Sequence, residues 1–126
     1  MRLNNDCVRD LLLYIEKNTS LIDEIDIEEI NNLNYPKEEL LYTAIKLKEA
    51  GYINAIISET FDGYSVLARS LTWNGHKFLD NIRDNVVWKS TKAVVSKFSS
   101  VSLSLIEKIA AQVITNLINQ YMGQSN

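Results

Sequence analysis

Val8, Leu11, Leu12 and Ile15 recur at the i, i+3, i+4, i+7 spacing that lines one face of an α-helix. The stripe predicts an amphipathic helix from about residue 5 to 18. Asn4, Asn5 and Asp6 offer side-chain oxygens to the unpaired N–H groups of its first turn. Between residues 19 and 35 the period changes. Ile25 and Ile27 alternate with Asp26 and Glu28, which fits a short half-buried strand; a helical turn through residues 27–30 competes for the same positions. Asn31, Asn32 and Asn34 then read as a loop.

Pro36 suits the first position of a second helix, residues 36–50, because its φ is fixed and it has no N–H to leave unpaired. Leu40, Ala44 and Leu47 form its buried stripe, broadened by Leu41, and Gly51 is placed to end it with a positive φ. Residues 52–58 and 65–71 read as the strands of a hairpin, joined by a loop over 59–64 that contains the turn pair Asp62-Gly63. Thr72 can cap the next helix, whose stripe is Phe78, Leu79 and Ile82. Helical character continues through Val86-Val87-Trp88 and from Thr91 to Phe98. Ser99-Ser100 interrupt it, and Ser102 or Ser104 caps a last helix reaching about Tyr121.

The order of elements defines a fold class: α+β, mostly α. Helix, short strand, helix and β-hairpin over residues 1–72 make a winged-helix-like core, followed by C-terminal helices over 73–126 in a single domain of 126 residues. Residues 36–50 stand where a recognition helix would, and residues 59–64 where the wing would. A full winged helix has one more helix ahead of the recognition helix, and here only residues 19–34 could supply it.

Composition narrows the setting. The apolar fraction of 46% and charged fraction of 23% are those of an ordinary globular protein. No apolar run approaches the ~18 residues of a membrane span, and the first residues lack the apolar core of a secretion signal. A single cysteine agrees with a reducing compartment. The expectation is a cytoplasmic protein with no membrane association. One Cys and one His cannot build a zinc site within the chain, so no metal or cofactor is expected. Residues 1–62 hold six Lys/Arg against thirteen Asp/Glu, a balance of −7; residues 63–126 hold seven against three, a balance of +4. The acidic net charge argues against tight, nonspecific nucleic-acid binding; the basic half could still bind phosphate, and an acidic face could bind a basic partner.

Candidate chemistry gathers around the only histidine. His76 and Asp80 are one helical turn apart, a spacing that allows a His–Asp hydrogen bond, but no nucleophile is placed with them and no catalytic role is expected. Asp80, Arg83 and Asp84 have ion-pair spacing. Trp73 and Trp88 are expected to pack between the C-terminal helices and the hairpin; anchoring a partner is the alternative. Lys37, Tyr42, Thr43 and Lys46 fall on the outer side of the second helix, as a surface for DNA or another partner. Phe61 and Tyr64 give the loop an aromatic, non-basic tip suited to a protein contact. Lys89 and Lys92 could share a face and meet phosphate. The last helix is apolar on more than one side, which points to a homodimer formed through it.

Three pieces of the chain carry a family resemblance: Asp6-Cys7-Val8-Arg9-Asp10-Leu11-Leu12-Leu13-Tyr14-Ile15-Glu16; Leu47-Lys48-Glu49-Ala50-Gly51-Tyr52-Ile53; and the stretch from Leu71 to Lys92, which opens Leu71-Thr72-Trp73-Asn74-Gly75-His76-Lys77-Phe78-Leu79-Asp80. Together they resemble the bacterial and phage proteins catalogued as domain of unknown function 2513. The resemblance implies a winged-helix-like fold often carried on mobile elements, and brings no catalytic residue with it. The sequence therefore leads to a non-catalytic, DNA-binding transcriptional regulator of phage or mobile-element origin, acting on double-stranded DNA. The alternative is a module that blocks or bridges a host or phage protein without binding DNA.

Overall fold

The computed structural model describes residues 1–124. It contains helices α1 (Asn5–Asn18), α2 (Lys37–Glu49), α3 (Trp73–Ile82), α4 (Asn85–Val95) and α5 (Leu103–Gln124), and strands β1 (Ile25–Asp26), β2 (Ile53–Thr60) and β3 (Gly63–Leu71). The architecture is α+β, mostly α. The chain forms two compact units, Met1–Leu79 and the segment from Asp80 on, with α3 running across the division.

In the first unit, α1 begins as its sequence requires. Asn4 Oδ1 accepts the amides of Asp6 (3.0 Å) and Cys7 (3.4 Å), and the stripe Val8, Leu11, Leu12 and Ile15 is buried together with Cys7. The next segment contains both of the competing structures. Ile25 and Asp26 pair with Ala68 and Leu67 of β3, and there the strand stops. Asp26 Oδ1 accepts the amide of Glu28 at 3.0 Å and turns the chain into a 3-10 turn over Ile27–Glu29. The expected strand is thus only two residues long, because the carboxylate that alternation assigned to solvent serves as a helix cap. Ile27 and Ile30 are buried, and the Lys37 ammonium closes the turn by donating to the carbonyls of Glu28 and Ile30 and to Asn31 Oδ1.

Pro36 precedes α2 rather than opening it. Its ψ of 147° is extended, and the helix starts at Lys37. Leu40, Ala44 and Leu47 are buried as expected. Gly51 adopts φ 80°, its amide donates to Lys48 O (3.0 Å), and the Tyr52 amide donates to Leu47 O (2.9 Å). These two bonds form the Schellman ending that satisfies the last carbonyls of a helix.

The sheet is antiparallel with order β1-β3-β2. β2 and β3 run in register from Ile53↔Leu71 to Thr60↔Gly63, with one irregularity at Asn54/Ala55. Their connection is a two-residue turn, Phe61-Asp62, with Gly63 at φ 116°. The six-residue loop expected over 59–64 is therefore mostly strand, since Thr60 Oγ1 donates to Gly63 O (3.1 Å) and cross-strand pairing continues to the tip. Val66, Ala68 and Leu71 are buried on one face. The outer edge of β2 has no neighbouring strand among the described residues.

β3 passes into α3 through Thr72. Its hydroxyl accepts the Gly75 amide (3.0 Å), as an N-cap does, and donates to Gly51 O. The Thr72 amide donates to Tyr52 O at 3.0 Å. α3 lies so close to that carbonyl that a Cβ at Gly75 would be 1.9 Å from Tyr52 O. The Tyr52 ring stacks on Phe78 with centroids 5.0 Å apart.

In the second unit, α4 packs against α5. Asp84 Oδ1 caps α4 by accepting the amides of Val86 (2.9 Å) and Val87 (3.0 Å). Val87, Trp88 and Thr91 are buried, and the Thr91 hydroxyl is satisfied by Val87 O at 2.7 Å. Ser102 Oγ caps α5 through the Leu105 amide (3.3 Å). Ile106 and Ala110 are buried, whereas no residue from Ala111 to Gly123 is. Among the described residues no helix is long and apolar enough to cross a membrane.

Candidate binding cleft

Helix α2 has a second apolar stripe beside the buried one. Leu41 and Ile45 are one turn apart and only half-buried, with Tyr42 next to them. Tyr64 leaves the start of β3 on the same sheet face as Val66 and Ala68, beyond the buried part of the hairpin. Leu41, Tyr42, Ile45 and Tyr64 together line an open cleft of about 720 Å³, joined by Met1 and the hairpin-tip residues Asp62 and Gly63. The Tyr42 hydroxyl donates to Met1 O at 3.2 Å and fixes the ring along one wall.

Around this apolar floor stand the carboxylates of Glu28, Glu38 and Asp62, all exposed. Two lining residues carry cationic groups: Met1, through its α-ammonium, and Lys37, whose ammonium is turned onto the carbonyls of Glu28 and Ile30. Three carboxylates against these two leave the lining with a net negative charge above an apolar base.

The sequence-derived candidates divide sharply. Lys37, Tyr42 and Tyr64 come together in the cleft. Lys46 lies beside it, with Nζ 5.5 Å from the Tyr42 ring centroid and 2.8 Å from Glu49 Oε2. The Glu49 partner raises the Lys46 pKa. Phe61 is fully exposed at the tip of the turn. Thr43 does not belong to the outer face at all. It is 1% exposed and lies 3.5 Å from Cys7 Sγ, where α2 packs on α1. Its position one residue before Ala44 puts it on the same inward arc, and a hydroxyl can be buried there because the thiol accepts or donates across the interface. The Cys7 pKa is raised, chiefly by burial. Lys89 and Lys92 are on α4 in the second unit; Lys89 is exposed, and Lys92 Nζ is 5.7 Å from the Trp88 ring centroid.

His76 pairs with a different carboxylate from the one its helical spacing suggested. Its Nδ1 is 3.5 Å from Glu16 Oε2 on α1. Asp80 instead holds Arg83 at 3.1 Å, and Asp84 is occupied as the cap of α4. Trp73 is 82% exposed and so is not a core residue, whereas Trp88 is buried. The first position of α3 points Trp73 away from the joint that Gly75 and Phe78 make with Tyr52.

Met1, Glu28, Glu38, Leu41, Ile45, Asp62 and Gly63 join the site without having been candidate binding residues. Leu41 and Ile45 carried a usable signal, since a helix with apolar residues at 40, 44, 47 and also at 41 and 45 has more than one buried stripe can use. Met1 and Glu28 reach the cleft only through tertiary packing.

The cleft and the joint can be placed among known proteins. No solved structure matches the chain. A protein of Haemophilus influenzae described as an uncharacterized protein is 32% identical over 119 residues, covering 94% of this chain and 99% of the relative. The family model described as hypothetical protein (DUF2513) matches residues 2–102, which include α1, every lining residue of the cleft except Met1, the Thr72–Gly75 joint and α4, and the chain belongs to that family.

Proposed function

We propose that the chain is a non-catalytic, winged-helix-like binding module whose target is a protein. The observation that carries this reading is the cleft between α2 and the hairpin tip, apolar at its base and edged by Glu28, Glu38 and Asp62. A DNA-reading surface needs cations directed outward to phosphates. Here Lys37 is turned inward, Lys46 is paired with Glu49, and the hairpin tip carries Asp62 and no base.

A photo-crosslinking residue at exposed Tyr64 tests the reading in cells. Protease-sensitive adducts are expected. Nuclease-sensitive adducts, or none, would overturn it.

Double-stranded DNA is the second reading, favoured by the order of elements, in which β3 lies between β1 and β2 and α2 precedes the hairpin. Under it the protein is a transcriptional regulator of phage or mobile-element origin in the cytoplasm. Anisotropy of labelled duplex DNA across a salt series separates the two: a steep negative slope of log affinity against log salt supports DNA, and no binding at low salt removes it.

A homodimer through α5 fits either reading. Leu105, Ile118, Tyr121 and Met122 are each at least half exposed. The helix carries no charge from Ile109 to Gln124, so a second copy meets it without an unpaired ion. Light scattering at micromolar concentration should give twice the monomer mass; a persistent monomer refutes the dimer in that range.

A further inference from the structure

We propose that the occupant of the α2–hairpin cleft is a cationic peptide segment, with Lys or Arg residues flanking one aliphatic or aromatic anchor. This rests on the protein-binding reading above and names the chemistry of the partner. The cleft of about 720 Å³ is within the ~300–1,000 Å³ range of sites that enclose ligand-sized groups. Its base is Leu41 and Ile45 in adjacent turns, walled by the rings of Tyr42 and Tyr64. Such a surface takes a side chain without hydrogen-bonding demands of its own.

The rim selects the charge. Glu28, Glu38 and Asp62 approach the cleft from three separate elements: the 3-10 turn, the first turn of α2 and the hairpin tip. A cation placed over the apolar base therefore meets carboxylates on more than one side. An anionic segment or a phosphate backbone would meet the same carboxylates as repulsion. Of the two cations carried by lining residues, the Lys37 ammonium is held by Ile30 O at 2.7 Å and by Glu28 O, and the Met1 α-ammonium offsets only one of the three carboxylates. The first unit, residues 1–79, carries eight Lys/Arg against thirteen Asp/Glu, a net −5, so the long-range field also draws a basic segment to it.

A random twelve-residue peptide display library, panned against the full chain, supplies the probe, and selected sequences are remade as fluorescein-labelled peptides. The selected peptides should carry Lys or Arg within two positions of Leu, Ile, Phe or Trp. The double variant Glu38→Lys/Asp62→Lys changes two exposed residues and should weaken their binding at least tenfold. Ile45→Ser should weaken it similarly, and Glu107→Lys on α5 should leave it unchanged. Circular dichroism establishes that each variant is folded. Selected peptides rich in Asp or Glu, or basic peptides indifferent to the rim and base variants, would overturn the assignment. Protein adducts at Tyr64 would in that case preserve the broader protein-binding reading. Loss of both the peptide selectivity and the Tyr64 protein adducts would remove the two together.

Discussion

Gly75→Ala tests the joint between hairpin and α3. Two effects of opposite sign act at this position. Alanine is the better helix former, and in an open helix interior it would add about 0.5–1 kcal/mol. Against that, its Cβ would be 1.9 Å from Tyr52 O, where ordinary contact begins near 3.4 Å, so the two must separate by about 1.5 Å. The obstacle is backbone and cannot rotate away. Tyr52 O also accepts the Thr72 amide, the Tyr52 amide closes α2 on Leu47 O, and the Tyr52 ring lies on Phe78. Moving α3 off this carbonyl therefore disturbs three contacts at once. Overpacking of this kind costs about 1–3 kcal/mol, and a weakened hydrogen bond adds about 1 kcal/mol. After the gain in propensity, the variant should lose about 2–3 kcal/mol, or roughly 10 °C in Tm. Urea unfolding followed by far-ultraviolet circular dichroism measures it. Gly123→Ala is the control, because a Cβ there meets nothing within 4 Å; it should be neutral or slightly stabilising. A Gly75→Ala midpoint equal to or above that of the parent protein would refute the close-contact argument and leave propensity as the governing effect.

Thr43→Val removes the hydroxyl that meets Cys7 Sγ and should cost about 1 kcal/mol, whereas Thr43→Lys should unfold the α1–α2 interface; a well-folded Lys variant would return the residue to the outer face. Asp84→Ala removes the acceptor of two α4 amides and should cost about 1 kcal/mol in urea unfolding, with Asp84→Asn retaining most of it; equal losses in the two variants would show that the cap is not what matters. Stability should also fall in alkaline solution. Cys7 and Tyr35 both have raised pKa values, from 9.0 and 10.0 respectively. For Cys7 the main cause is burial; for Tyr35 it is burial, then the 2.7 Å hydrogen bond to Asp10. Each is neutral in its acid form, so its contribution is intact below the unfolded-state pKa and is lost as pH rises toward the folded-state value. Urea midpoints should decline between pH 9 and 11, less steeply in Tyr35→Phe; a flat profile refutes the linkage.

Much of the fold is legible because local rules and tertiary packing agree. The 3.6-residue stripe of α1, the Gly51 terminus of α2 and the Thr72 cap each depend on a few consecutive residues. The short strand was ambiguous for a physical reason: Ile25 follows sheet pairing, while Asp26 caps the turn that starts at Ile27. A hydrophobic pattern alone does not say which use of the aspartate wins. Thr43 and His76 show the same limit at the candidate site. Helical spacing placed Thr43 outward and paired His76 with Asp80, but the packing of α2 on α1 buries the first, and Glu16 of α1 lies beside the second. The cleft required four separated parts of the chain to meet, so only its α2 and Tyr64 portions were visible in advance.

The uncovered edge of β2 gives the net charge of this region a colloidal role. Ile53 to Ser58 contains no charged residue and no proline, and Ile56 is 47% exposed, so the strand's own protection against templating another sheet is confined to Glu59 and the irregularity at Asn54/Ala55. The shared negative charge of the first 62 residues opposes the approach of two such edges. The acidic composition thus bears on the spacing of exposed strands as well as on the charge of the cleft.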